Sequence, residues 1–238
     1  MSELILRQPP RRAWGTPNMS PFCGKLETYL RASQTPHAVA PADFRTAPRG
    51  KIPYVELDGA VLTDSQLIIE ELERRAAAPL DAGLTDADRA LARVVRRTLE
   101  EGTYFLSVRM RWVEDDGWPV VQAEMKTLVP APLRLALPLI RRKVTKMIHA
   151  QGSGRRSRAE ASQMIADDWA AIATLLGDRP YMLGDRVRTV DCTVYAFLEA
   201  VLGFPVESPH RAAVAGHANL VAYRQRLRAA YWSDLPAI

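Results

Sequence analysis

Cysteine is scarce in this chain. Among its 238 residues, the cysteines are Cys23 and Cys192, and they lie far apart in sequence. This low count excludes a small domain held together by disulfides and is typical of proteins in a reducing compartment. No apolar run reaches the roughly 18 residues that a membrane-spanning helix needs, and residues 1–12 lack the pattern of a signal peptide. Together these absences predict a cytoplasmic protein.

Several common catalytic and metal-binding motifs are also missing. The sequence contains neither a Gly-rich phosphate loop nor a Gly-x-Ser-x-Gly turn. Its four histidines do not have the spacing of metal ligands, and none is close in sequence to a cysteine. They are His37, His149, His210 and His217. We therefore expect no metal site.

Positive charge, in contrast, is in excess. The formal net charge is +5 and the isoelectric point is near 9.4, which indicates an anionic partner such as a peptide carboxylate, a membrane surface or nucleic acid. One basic cluster lies between residues 141 and 158. It consists of Arg141, Arg142, Lys143, Lys146, Arg155, Arg156 and Arg158. Because no aromatic residues are interleaved with these charges, they favour a solvated helix face over nucleic-acid binding, and peripheral contact with a membrane stays an alternative.

Residues 118–150 form an apolar and basic region that includes the apolar residues 133–140, and prolines at 130, 132 and 138 interrupt it. The short apolar length and the prolines predict that this region is a buried helical hairpin rather than a segment lying on a membrane.

The order of local patterns predicts two domains. Residues 1–77 show strand, helix, strand, hairpin and helix, with the hairpin formed by residues 52–57, the Asp58-Gly59 turn and residues 60–63. This order indicates an α/β domain with a small, mixed, thioredoxin-like sheet. Residues 76–87 are rich in Ala and Pro, which is typical of a linker. Residues 86–238 contain helical patterns and no hairpin signal, and predict an all-α domain.

The start of the first helix is the most informative stretch. Ser20 has a good side chain for an N-cap, and Pro21 suits the first helical position. The same place combines a hydroxyl, free amides and the positive end of the helix dipole, where a thiolate would be stabilised. Cys23 lies one turn further on, so Ser-x-x-Cys can be interpreted as a Cys-x-x-Cys redox element that has lost its first sulfur. Cys23 is accordingly either a reactive thiol or a packed, inert one.

The order of these motifs resembles the N-terminal domain of glutathione transferases. The resemblance depends on the Ser20-Pro21-Phe22-Cys23 helix, on residues 51–56 and on Thr63-Asp64-Ser65. Residues 14–18 and 64–70 are more narrowly similar to the failed-axon-connections and metaxin-related branch of that superfamily. Pro53 by itself would be interpreted as an ordinary trans proline at a sheet edge, whereas the resemblance implies a cis Ile52–Pro53 bond.

A second resemblance is to the turn that precedes the central helix of the transferase C-terminal domain. Residues 181–191 carry it, but Arg188 stands where the family has a capping Ser or Thr. We therefore expect Thr189 or Asp191 to cap that helix instead.

The resemblance implies bound glutathione as a co-substrate and assigns its parts to individual residues. Ser65 and the amides of its helix start would hold the γ-glutamyl carboxylate, and Asp64 would meet the ammonium group. The Ile52 backbone would pair with the cysteinyl residue, and Arg49 or Lys51 would take the glycyl carboxylate. The structural alternatives are a helix cap for Ser65, a turn acid for Asp64 and solvated loop charges for the two cations.

A cis bond at Pro53 would turn the Ile52 backbone towards Ser20, where the cysteinyl thiol would lie. Ser20 would then donate to the sulfur and raise the fraction of thiolate that attacks a small electrophile. This interpretation implies a glutathione transferase, as a homodimer. The alternatives are a non-catalytic glutathione-binding or membrane-associated interaction protein, and a thiol transferase that uses Cys23.

Overall fold

The computed structural model describes residues 4–9, 12–43 and 46–236. The two predicted domain ranges, 1–77 and 86–238, therefore begin and end outside the described residues.

A four-stranded mixed sheet and two helices form the first part of the chain. The elements are β1 (Leu4–Arg7), α1 (Pro21–Ala32), β2 (His37–Ala40), β3 (Tyr54–Leu57), β4 (Ala60–Thr63) and α2 (Ser65–Arg75). The strand order is β2-β1-β3-β4, in which β1 runs parallel to β2 and antiparallel to β3, and β3 and β4 form an antiparallel hairpin. This is the predicted thioredoxin-like arrangement.

The core of this part forms where alternate strand residues meet the apolar faces of the two helices. Leu4 and Leu6 of β1 and Val55 of β3 are buried, as the two-residue period of a strand requires. Their partners on α1 and α2 recur at helical spacing. These are Leu26, Tyr29, Leu30, Ile68, Ile69 and Leu72. The Cys192 side chain, from a helix of the second part, completes this core, so the two parts share buried contacts.

The second part is helical. It contains α3 (Asp86–Arg97), α4 (Tyr104–Trp112), α5 (Gly117–Leu128), α6 (Leu137–Gln151), α7 (Arg158–Leu176), α8 (Thr189–Leu202), α9 (Pro209–Ala215) and α10 (Ala218–Tyr231). A π-helical turn, Thr98–Thr103, joins α3 to α4. From its second residue to its last, α8 is buried throughout, and it packs against α1. The fold is therefore organised around α8, with an α/β domain on one side and helices on the others.

The predicted linker is fastened to both domains. Asp81 lies at its centre and accepts hydrogen bonds from the Thr189 N–H at 3.0 Å and from the Thr189 hydroxyl at 2.6 Å. The Arg188 guanidinium donates to the carbonyl oxygens of Leu80 and Ala82. Glu73 of α2 accepts from two linker amides. These bonds hold the start of α8 and the end of α2 to one short segment.

Helix α8 is capped at its N-terminus although Arg188 stands where the family has a Ser or Thr. A guanidinium has no acceptor, so the Arg188 side chain cannot accept a hydrogen bond from the Asp191 N–H, which is one of the two bonds of a capping box. The Asp191 carboxylate supplies the other half by accepting from the Arg188 N–H at 2.8 Å, and it also accepts from the Met182 N–H and the Tyr223 hydroxyl. Asp191 is thus the capping residue, as one of the two expected alternatives.

The helical hairpin predicted for residues 118–150 is present as α5 and α6, which share a buried cluster that includes Trp118, Val121 and Leu137. The prediction that the hairpin is buried is wrong for the turn between the two helices. After α5 ends, the prolines restrict the chain to a 3₁₀ turn, Ala131–Ala136, before α6 begins. The Leu133 and Leu135 side chains of this turn are 58% and 87% exposed, and Leu139 near the start of α6 is 67% exposed. Among the helices of the described residues, none has both the length and the apolarity to cross a bilayer.

Candidate functional site

Ser20 stands at the N-cap of α1 with an extended backbone, φ −91° and ψ 121°. The prediction that its side chain caps the helix is wrong, because within the described first turn no backbone amide donates to the Ser20 hydroxyl. Its N–H is held by the Asn18 side chain at 3.1 Å, and its carbonyl accepts from the Gly24 N–H at 3.0 Å. The hydroxyl is therefore not needed by the helix, yet it lies at the positive end of the helix dipole.

Cys23 is buried, with 0% of its surface exposed. Burial raises the pKa of its thiol to about 12, with Glu27 acting in the same direction and a hydrogen bond from Ser20 opposing both. A thiol transferase needs an accessible thiolate. The burial of Cys23 therefore favours the packed, inert thiol over the reactive one.

The Ile52–Pro53 peptide bond is cis, as the family resemblance implies. Pro53 is buried and Ile52 is partly exposed. The described pairing of β3 with β1 and β4 begins at Tyr54, so it leaves the Ile52 backbone outside the sheet ladders. An extended peptide can pair with such backbone groups.

Asp64 and Ser65 open α2. Asp64 has a left-handed backbone, φ 71°, and its carboxylate accepts from the N–H groups of Gln66 at 2.9 Å and Leu67 at 3.4 Å. Two amides that could have bound a ligand carboxylate are thus already used. Ser65 is buried at the first helical position. Its N–H and hydroxyl are the donors of this helix start that remain for a ligand carboxylate.

Arg49 and Lys51 lie in an exposed turn before the cis proline. Arg49 has a left-handed backbone, φ 57°, inside the 3₁₀ turn Pro48–Gly50. Neither side chain forms an ion pair with any residue that the structure describes, and both are exposed. They are accessible cations at the position where the glycyl carboxylate is expected.

Lys25 joins the starts of α1 and α2, although it is not among the residues predicted for the site. Its ammonium group is fully buried and donates to Gln66 Oε1 at 2.7 Å and to Glu100 Oε1 at 2.6 Å. Gln66 follows Ser65 directly, and Lys25 is about one and a half helical turns from Ser20. The bridge therefore places the start of α1 beside the start of α2. A lysine four residues before Tyr29, on the apolar side of α1, was the signal that could have revealed it.

A crevice adjoins the start of α1 on the side of the helical domain. Its lining residues are Pro21, Tyr104, Ser107, Val108, Arg111, Phe197 and Ala200. Arg111 is buried and donates to the carbonyl oxygens of Met19, at 3.0 Å, and Ala200. Burial lowers the pKa of the Arg111 guanidinium to about 10. The crevice has a volume of about 10 Å³, too small to enclose an electrophile, and it marks a narrow apolar gap beside the start of α1 and one buried positive charge.

Within the described part of the chain, no group of three or more His, Cys, Asp or Glu side chains is arranged so that it could hold a metal ion.

A thioredoxin-like domain with a serine-tipped helix and a cis-proline strand, joined to an all-helical domain, defines the glutathione transferase class of folds. The family model described as "Glutathione S-transferase N-terminal domain" matches residues 21–117, and that described as "Glutathione S-transferase, C-terminal domain" matches residues 165–227. The chain is 32% identical over 230 residues to the isoprene-epoxide–glutathione S-transferase of Rhodococcus sp. (strain AD45), which covers 92% of this chain and 95% of the relative. The chain therefore belongs to the glutathione S-transferase family.

Other relatives fall in the failed-axon-connections and metaxin-like branch. The chain is 29% identical over 196 residues to Failed axon connections of Drosophila melanogaster, covering 76% of this chain and 46% of that protein. It is 19% identical over 215 residues to human Metaxin-2, covering 88% and 81%. Among solved structures, a glutathione S-transferase from Methylobacterium radiotolerans in complex with glutathione sulfonate superposes with a TM-score of 0.64 at 21% identity, covering 99% of this chain and 96% of that one. This likeness supports the fold.

Proposed function

We propose that this protein is an enzyme that transfers the thiolate of glutathione to a small electrophile. The observation that carries the proposal concerns the Ser20 hydroxyl at the start of α1. It accepts no hydrogen bond from the described amides of the first turn, and Ser20 precedes Pro21, which lines the crevice. The Rhodococcus relative, whose name describes a glutathione S-transferase acting on isoprene epoxide, supports the same reaction class.

Glutathione would bind along the line from α2 to α1. The Ser65 hydroxyl and N–H would donate to the γ-glutamyl carboxylate, and the exposed Asp64 carboxylate would attract the ammonium group. The free Ile52 backbone beside Pro53 would pair with the cysteinyl residue. Arg49 or Lys51 would meet the glycyl carboxylate from the exposed turn.

The sulfur would then lie at Ser20. The Ser20 O–H donates a hydrogen bond to the thiolate, and together with the helix dipole this lowers the pKa of the thiol. The thiol proton passes to solvent. The thiolate attacks carbon, a C–S bond forms, and the electron pair of the broken bond leaves on the departing atom, which is a ring oxygen if the electrophile is an epoxide.

The test is Ser20→Ala, assayed with glutathione and a panel of small epoxides and aryl halides. We expect kcat/KM to fall about 100-fold, as for the loss of one donor to a reacting anion, while calorimetry shows glutathione binding nearly unchanged. Ser33→Ala, at the other end of α1, is the matched control. Unchanged turnover in Ser20→Ala would remove Ser20 from the mechanism.

The alternative is a non-catalytic protein that binds glutathione or takes part in an assembly. The relative from Arabidopsis thaliana named as a mitochondrial outer membrane import complex protein favours it. Glutathione binding without turnover on any electrophile supports this alternative. Absence of glutathione binding removes both proposals.

We also propose that the protein is a cytoplasmic homodimer. Val61 of β4 and Leu67 of α2 are apolar and exposed on two elements that pack together. A second copy would cover such a surface. Light scattering is expected to give twice the 26.5 kDa chain mass, and Leu67→Glu is expected to give a monomer. A monomeric wild type at micromolar concentration would contradict the dimer.

A further inference from the structure

The positive charge of this protein is concentrated in one segment. Residues 125–159 contain nine Lys and Arg residues and no Asp or Glu, so the segment carries +9. The whole chain carries +5, which leaves −4 on all remaining residues together. The cations are Lys126, Arg134, Arg141, Arg142, Lys143, Lys146, Arg155, Arg156 and Arg158. This segment is therefore the strongest local concentration of positive charge in the chain.

The same segment exposes large apolar side chains. In the 3₁₀ turn Ala131–Ala136, Leu133 and Leu135 point away from the protein and flank Arg134. Covering an exposed Leu side chain such as Leu135, which is 87% exposed, would contribute about 1.5–3 kcal/mol to association with a partner. Two leucines at one tip form a surface that a partner would cover.

Helix α6 continues this surface. Leu137 and Ile148 face the protein and are buried. The opposite side of α6 is exposed and combines apolar and basic residues. These are Leu139, Arg142, Lys143, Lys146 and Met147. At 15 residues, α6 is about 22 Å long, so the surface is a strip rather than a point.

Four of the nine cations have partners within the protein: Arg134 and Arg155 donate to the carbonyl oxygens of Val129 and His149. Arg141 donates to the carbonyl oxygens of Trp112 and Val113, and Arg158 pairs with Asp116. On the exposed side of α6, Arg142, Lys143 and Lys146 make no ion pair with any residue in the described ranges. Their charge is available to a partner.

The combination of exposed leucines and unpaired cations indicates which kind of partner fits this surface. Nucleic acid would use the cations but gain nothing from leucines, and the strip has no aromatic residue on which bases would stack. An anionic bilayer uses both: leucines enter the boundary of the acyl chains, and Lys and Arg lie at the level of the lipid phosphates. We propose that the 3₁₀ turn Ala131–Ala136 and the exposed side of α6 form a docking surface for a membrane that contains anionic lipid.

The first test measures co-sedimentation of the full chain with vesicles of phosphatidylcholine alone and with vesicles that also contain phosphatidylserine. We expect binding to the second kind only, and weaker binding as salt is added. Lys143→Gln combined with Lys146→Gln should lower the partition coefficient about 25-fold, because each cation near the surface contributes about fivefold. Arg93→Gln combined with Arg97→Gln, which removes two exposed charges from α3, should leave it unchanged.

A second pair of variants separates apolar insertion from charge. Leu135→Ser combined with Leu139→Ser should lower the partition coefficient at least about tenfold at constant charge, whereas Val94→Ser, at an exposed position of α3, should not. All of these side chains are exposed, so the variants are expected to keep the wild-type circular dichroism and melting temperature.

The third measurement uses the burial of both native thiols, Cys23 and Cys192. A Leu133→Cys variant can be labelled selectively with a polarity-sensitive maleimide dye. Its emission should shift to the blue with phosphatidylserine vesicles and stay unchanged with neutral ones. The proposal is overturned if the wild type does not bind the anionic vesicles, or if the leucine and lysine variants bind as the wild type does. It is also overturned if those variants change the oligomeric state while vesicle binding is absent, because the strip would then be an interface between copies.

Discussion

Ser20 and Cys23 are one helical turn apart, yet they differ in their access to a ligand. The Ser20 hydroxyl is partly exposed at the helix start, whereas the Cys23 thiol is sealed beneath it. Hydrogen bonding from Ser20 favours the Cys23 thiolate, but burial outweighs it. The same hydroxyl is therefore available to the sulfur of a ligand that approaches from outside the helix.

Because a thiol with a pKa near 12 is protonated at neutral pH, we expect Cys23 to be unreactive in the folded protein. Titration with a colorimetric disulfide reagent should detect no fast-reacting thiol in the native state and two after denaturation. Cys23→Ala should conjugate glutathione at the wild-type rate, within about twofold. A glutathione adduct on Cys23, seen as a mass shift after disulfide challenge of the native protein, would contradict this expectation.

Lys25 shows why part of the candidate site escapes prediction at the residue scale. A spacing of four residues from Tyr29 places Lys25 on the inner side of α1, which the sequence does indicate. Its acceptor Glu100 is 75 residues away, however, and no local pattern relates the two. The cis form of Pro53 is a similar case, since the residues alone favour trans and only the family resemblance implied the correct isomer.

At the scale of elements, local patterns predicted the elements that are built from neighbouring residues. The Asp58-Gly59 hairpin depends on contacts within a few residues, and it is present as β3 and β4. The exposed turn before α6 was mispredicted because its burial depends on whether a distant element covers it. The hydrogen bonds from Arg188 to the linker join residues more than 100 positions apart in sequence, so local patterns could not predict them either.

The Lys25–Glu100 pair joins α1 to the π-helical turn Thr98–Thr103, and turns of this kind are often found at functional sites. Because both side chains are buried, Lys25→Met would leave Glu100 with one remaining cation, Arg96. We expect the free energy of unfolding to fall by about 3 kcal/mol, the lower end for a broken buried pair. Urea denaturation measures the change.

Lys143→Met, the same substitution at an exposed position, is the control and should change stability by less than about 0.5 kcal/mol. Combining Lys25→Met with Glu100→Gln should restore part of the loss, since no buried charge is then left unpaired. If Lys25→Met were as stable as the control, the bridge would not be what holds the two helix starts together.

At the scale of the whole molecule, buried charges and exposed charges have different surroundings. The buried Glu199 of α8 pairs with Arg224 and Arg228 of α10, whereas Arg142, Lys143 and Lys146 lie exposed on α6. Neutral groups also join the helices around α8. His210 is one of them: its ring nitrogens lie 3.3 Å from the Ser162 hydroxyl of α7 and 3.1 Å from the Ser208 hydroxyl that caps α9.

Burial lowers the pKa of His210 to about 4, and the nearby charges of Arg158 and Arg111 act in the same direction, against Asp116. In the unfolded chain a histidine takes up a proton below about pH 6.5. Between pH 6.5 and 4 the unfolded state therefore binds a proton that the folded state excludes, and stability must fall as the pH falls through this window. We expect the melting temperature of His210→Gln to decrease less than that of the wild type between pH 6.5 and 4.5. His149→Gln, an exposed position on α6, controls for the loss of an imidazole. Parallel curves for His210→Gln and the wild type would show that the pKa of His210 is the same in the folded and unfolded states, contrary to the effect expected from its burial.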